Sequence, residues 1–120
     1  MPKPRAVLVV DDEALVRMYA VDVLSDAGHQ VFEAAHAQEA LEVLEQHPEV
    51  GVLFTDINMP GQLDGLDLAR MVHRRRPDVH IILTSGRLRP PQEDIPDDGR
   101  FLSKPYAGEA VISLVRQLMG

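Results

Sequence analysis

Apolar positions along this chain follow two alternating patterns. AVLVV, Ala6 to Val10, is apolar at every position, as a strand covered on both faces requires. Val16, Ala20, Val23 and Ala27 then recur every three or four residues and predict a helix over 13–27, which Gly28 stops. Val31–Ala34 reads as a second strand. A helix over 37–46 follows, facing inward through Ala40, Leu41 and Leu44, with Pro48 beyond its end. Val50–Thr55 is a third strand. Residues 66–75 form a helix through Leu68, Met71 and Val72, and Arg74, Arg75 and Arg76 make a solvated end where the helix dipole favours cations. His80–Thr84 and Arg100–Ser103 are the fourth and fifth strands. A closing helix over 108–118 carries Val111, Leu114, Val115 and Leu118 on one side.

Strands that alternate with helices imply a parallel sheet, because each strand needs a crossover to run the same way as the last. Right-handed crossovers leave few topologies. Among them is an α/β, flavodoxin-like (βα)5 doubly wound sandwich with strand order 2-1-3-4-5, whose crevice lies at the carboxyl ends of strands 1 and 3. The fourth helix is expected to be short or missing. GRLRPPQEDIPDDGR, between strands 4 and 5, holds Pro90, Pro91 and Pro96, and an interior proline costs a helix about 3 kcal/mol. We expect at most a short turn there, starting at Pro91.

Length and composition narrow the picture further. The 120 residues read as one domain, 1–120, with 45% hydrophobic and 26% charged residues. There is no cysteine, so disulfides and thiolate metal sites are excluded, in keeping with a cytoplasmic setting. The net charge of −7 argues against direct nucleic-acid binding. No apolar run approaches the roughly 18 residues of a membrane span. The five histidines are scattered without metal-ligand spacing, and none is assigned a role.

The polar chemistry collects at the strand ends. Strand 1 runs into Asp11 and Asp12, strand 3 into Asp56, strand 4 into Thr84 and Ser85, and strand 5 into Lys104. Neighbouring strands lie about 4.8 Å apart, so the three carboxylates would crowd and repel unless a cation joined them. Oxygen ligands without cysteine or nearby histidine point to Mg²⁺. An incompletely filled Mg²⁺ site invites a phosphoryl group, with Lys104 as a mobile charge donor and Thr84 and Ser85 as hydrogen-bonding partners. Asp56 is then placed as a nucleophile whose product is an aspartyl phosphate. Taken alone, Asp11 and Asp12 would equally suit a helix cap, and Asp56 before Met59-Pro60-Gly61 a turn.

VLVVDDE, LFTDINMPG, ILTSG and FLSKPY together resemble the receiver domain of two-component response regulators, across essentially the whole chain. Matched by position, the resemblance implies that Asp56 is the phosphoacceptor. It implies that Asp12 binds Mg²⁺ directly, Asp11 mainly through water, and Asn58 through its backbone carbonyl. It makes Thr84 the switch hydroxyl, Lys104 the phosphate partner and Phe101 the switch aromatic, with a cis bond before Pro105. The implied phosphodonor is a histidine kinase or a histidine phosphotransfer protein, and a homodimer is a further possibility. The protein would catalyse only its own phosphorylation and dephosphorylation.

Two departures from the family stand out: the proline-rich segment in place of a fourth helix, and the loop Gly61–Gly65, one residue longer than is common. The alternative is a haloacid-dehalogenase-type phosphohydrolase with Asp56 as nucleophile. That class wants an acid two residues on, where this chain has Asn58. A nucleotide-binding module is disfavoured because no glycine-rich phosphate loop follows strand 1. The chain ends two residues past the last expected helix, so we expect no attached effector. A stand-alone regulator and a receiver belonging to a longer protein both fit, with Met1 favouring a natural start.

Overall fold

The structure, a computed structural model, describes residues 6–87, 89–96 and 99–119. The elements run β1 (Ala6–Val10), α1 (Ala14–Asp26), β2 (Gln30–Ala34), α2 (Ala37–Gln46), β3 (Val50–Asp56), α3 (Gly65–Arg75), β4 (His80–Ser85), β5 (Arg100–Ser103) and α4 (Gly108–Met119). All strand pairings are parallel, in the order β2-β1-β3-β4-β5. This is the expected doubly wound architecture.

Alternation along the central strands divides the core into two layers. Ala6, Leu8 and Val10 of β1 join Leu53 of β3 under α2 and α3. Val7 and Val9 join Val52 and Phe54 under α1 and α4. Both faces are covered, which is why these strands are apolar at every position.

Helix faces follow the expected periods with one correction. In α1 the buried residues are Ala20 and Leu24, whereas Val16, Val23 and Ala27 are half-buried. The apolar stripe is wider than the spacing of those four residues suggested, and its centre is turned toward Leu24. Gly28 ends the helix at φ +96°, a left-handed conformation that glycine adopts without steric cost. Arg76 is also more than a solvated helix end. Its Nη2 donates to the carbonyls of Pro48 (3.0 Å) and Val50 (2.9 Å), tying the end of α3 to the start of β3.

Among the described residues between β4 and β5 there is a single 3-10 turn, Gln92–Asp94, which follows Pro91. Leu88, Asp97 and Asp98 of this segment lie outside the described residues, as do residues 1–5 and Gly120. Ile95, just past the turn, is buried with Ile57, Ala69, Ile81 and Leu83, and Leu66 and Phe101 pack against them. One isoleucine thus covers sheet that a helix would otherwise cover. No helix among the described residues is long and apolar enough to cross a membrane.

Candidate functional site

The crevice begins where β1 ends. Asp11 keeps its backbone in the sheet, donating its N–H to the Ala34 carbonyl at 3.2 Å, and its side chain is buried. Its Oδ1 accepts the Glu13 N–H at 2.9 Å. Arg17, on the first turn of α1, donates to the Asp11 carbonyl at 2.7 Å and pairs with Glu33 of β2 at 2.9 Å. The turn carrying the acid pair is therefore held from two sides. Neither acid caps α1 in the way a plain helix start would. Glu13 occupies the cap position and makes no side-chain cap bond, and Asp12 stays exposed.

Asp56 is the last residue of β3 and is buried, with its Oδ1 3.4 Å from the Asn58 N–H. The chain then turns and α3 returns close behind it. Gly65 donates its N–H to the Ile57 carbonyl at 2.9 Å, and a Cβ on Gly65 would collide with the Asp56 carbonyl oxygen. A capping box of Asp64 and Asp67 fixes this entry. The longer Gly61–Gly65 loop ends in that box, with Gly61 at φ +109°.

Lys104 enters from the far side, just after β5. Its N–H donates to the Ser85 carbonyl at 2.9 Å, and the bond to Pro105 is cis. The ammonium lies 3.0 Å from Asp11 Oδ2, 3.2 Å from Glu13 Oε1 and 3.3 Å from Asp56 Oδ2. Burial opposes its charge more than any other single effect. The hydrogen bond and charge of Asp11, with Asp56 and Glu13, outweigh burial and hold the lysine pKa above its ordinary value. For Asp56, burial is the main cause of a raised pKa; the Lys104 charge pulls it back down and the Asp11 charge adds to the rise.

Thr84 lies opposite Asp56 in the β3–β4 register. Its hydroxyl is buried and finds no hydrogen-bond partner among the described residues. Ser85 is engaged, donating to Asn58 Oδ1 at 2.7 Å and accepting from the Arg87 N–H at 3.0 Å. Phe101 is half-buried beside the Ile95 cluster, with the Arg89 guanidinium 5.8 Å from its ring centre. It touches the loop, away from the acids.

Asp11, Asp12 and Asp56 each offer an oxygen within 4.8 Å of the others, so the three expected ligands do converge and could hold a metal ion. The donor set is all oxygen and anionic, which suits a hard divalent cation. The orphaned Thr84 hydroxyl across from Asp56 suits an added acceptor oxygen there. Three participants were not foreseen. Glu13 follows the acid pair directly, and its adjacency was the available signal. Arg17 sits four residues after Glu13 on one side of α1, a spacing that carries no sign of its carbonyl partner. Gly65 looked like ordinary loop glycine, since nothing local betrays the Asp56 carbonyl behind it.

Comparison with known proteins places the fold in a family. The sequence model of the response regulator receiver domain matches residues 7–116. The chain is 35% identical to the sensor kinase CckA of Brucella abortus (strain 2308) over 117 residues, covering 94% of this chain and 12% of that protein. It is 30% identical to the response regulator receiver protein CpdR of the same organism, covering 96% of this chain and 97% of the relative. The crystal structure of the receiver domain from the hybrid histidine kinase CckA superposes with a TM-score of 0.83 at 28% identity, covering 96% of this chain and 99% of that one. The phosphohydrolase alternative is not favoured: Asn58, at the position where it needs an acid, accepts a hydrogen bond from Ser85.

Proposed function

The chain belongs to the family of response regulator receiver domains, and from that premise we propose that Asp56 is its phosphoacceptor. Receiver domains work with histidine kinases, and we take the donor here to be a phosphohistidine on a kinase or on a histidine phosphotransfer protein. An Asp56 carboxylate oxygen forms the new O–P bond as the P–N bond breaks. The electron pair goes to the imidazole nitrogen, which takes up a proton. Hydrolysis of the acyl phosphate then returns Asp56 to a carboxylate.

One observation carries this reading. Asp56 is a buried carboxylate whose flanks hold a lysine ammonium at 3.3 Å and two further acids, with an unpaired hydroxyl opposite. Lys104 neutralises charge on the transferred group, Thr84 donates to one of its oxygens, and the buried strand end keeps the nucleophile oriented. Mg²⁺, when bound, supplies charge compensation to the phosphoryl oxygens. Asp12, Asp11, Asp56 and the Asn58 carbonyl are the residues that would hold it. The added phosphate brings roughly −1.5 to −2 charge. That charge draws Thr84 inward and biases the loop that packs on Phe101, which makes Phe101 the aromatic of the switch.

On this reading the protein is a cytoplasmic signalling module, whose only chemistry is its own phosphorylation and dephosphorylation. Incubating it with a labelled phosphohistidine donor, with Mg²⁺ or with EDTA, tests the proposal. Label on the parent chain in Mg²⁺ alone, absent from Asp56→Ala, is the expected result. Label retained by that variant would refute the assignment.

A further inference from the structure

An ammonium has three N–H donors, and in this structure three carboxylate oxygens, from Asp11, Glu13 and Asp56, lie within 3.3 Å of the Lys104 ammonium. The ammonium is thus ringed by carboxylates before any phosphoryl group arrives, and Glu13 accepts a hydrogen bond from it. Without Mg²⁺, Asp11, Asp12, Glu13 and Asp56 bring four carboxylates against its single positive charge. Phosphorylating Asp56 raises the negative charge further and adds oxygens that need the same donors. One of the present partners must therefore release the ammonium.

The three partners are not equivalent. Side-chain exposure is 3% for Asp11 and 4% for Asp56, but 62% for Glu13. Asp11 is buried, so on leaving the ammonium it could not turn out into water. Glu13 can swing into water at little cost. Among the described residues its side chain makes no cap bond to α1 and reaches across to Lys104 instead.

We propose that Glu13 is a competing carboxylate: it shares Lys104 in the unmodified site and yields it to the phosphoryl oxygens, so it sets how readily the modified state forms. Glu13 is thus a positioning residue that acts through Lys104. The inference deepens the phosphoacceptor reading and rests on it.

The test is a ¹⁹F NMR titration of the full chain with beryllofluoride, a phosphoryl analogue, at saturating Mg²⁺, for the parent, Glu13→Gln, Glu13→Ala and Asp56→Asn. Circular dichroism melts of each variant verify folding. Both Glu13 variants should bind the analogue about two- to five-fold more tightly, as expected for removing one exposed competing ion pair. A merely structural role would shift the melt and leave that affinity unmoved. Analogue binding that Asp56→Asn abolishes, but that the Glu13 variants leave unchanged or weaken, overturns the competition alone. No binding to the parent chain overturns the phosphoacceptor reading and the competition with it.

Discussion

Lys104 Nζ stands 3.0 Å from Asp11 Oδ2, nearer than the 3.3 Å that separates it from Asp56. The lysine thus leans first on the acid of β1 and only second on the acid of β3. It bridges elements 93 positions apart in the chain, and the Asp11 carboxylate has almost no access to water. Removing the lysine strands that carboxylate. Lys104→Met should lower unfolding free energy by about 2 kcal/mol or more in EDTA at neutral pH, with a smaller loss when Mg²⁺ is present. Urea denaturation under both conditions measures this.

Asp56 titrates above its ordinary range, chiefly because it is buried. A folded-state pKa above the unfolded one means the fold prefers the protonated acid. The contribution of Asp56 to stability is therefore fully present below the ordinary carboxylate pKa of about 4 and is lost as pH rises through the raised value. Asp56→Asn removes that loss. In EDTA the variant should be more stable than the parent at pH 7, and the gap should close as pH falls toward 4. A constant gap across this range, in paired thermal melts, would contradict the assignment.

The Thr84 hydroxyl is buried and has no hydrogen-bond partner among the described residues. A buried polar group left unsatisfied costs about 1–3 kcal/mol, and Thr84→Val removes it with little change of shape. The unmodified protein should gain stability, up to about 1 kcal/mol by chemical denaturation. On the proposed reading the hydroxyl donates to the phosphoryl oxygen, so the same variant should lose beryllofluoride affinity. Opposite signs in the two measurements separate this role from simple packing.

Asp12 is exposed and outside every ion pair described above, so it has little to contribute without a cation. Asp12→Asn should leave stability in EDTA within about 0.5 kcal/mol of the parent. Its Mg²⁺ affinity, read by isothermal titration calorimetry, should fall about tenfold or more. Equal affinities would remove Asp12 from the ligand set.

Gly65 sits against the Asp56 carbonyl so closely that any Cβ overlaps backbone. Backbone cannot give way as a flexible side chain can. Gly65→Ala should cost about 1–3 kcal/mol and displace the end of β3. Reduced labelling by a phosphohistidine donor should accompany the lost stability.

Much of this was legible in the chain itself. Ala6–Val10 and Val50–Thr55 announced strands buried on both faces, because a sheet covered by helices on each side has no polar position to spare. Their terminal acids were conspicuous for the same reason. Pro90, Pro91 and Pro96 told against a full helix after β4, and a single turn at Gln92–Asp94 is what forms. The α1 face was read less well. Spacing identifies a stripe, but the neighbours that cover it decide its centre, and α4 packs so that Leu24 is buried and Val23 only half so.

The sequence by itself determined where the strands end and which polar residues collect there, because polarity, period and proline act locally along the chain. Only the tertiary structure decided who faces whom: Glu13 on Lys104, Arg17 on the Asp11 carbonyl, Gly65 behind Asp56, and a Thr84 hydroxyl left without a partner. Those relations join segments that only the folded backbone brings within hydrogen-bonding distance. The interactions are short-ranged, so whether each exists rests on ångström-scale placement that no pattern of residue types encodes.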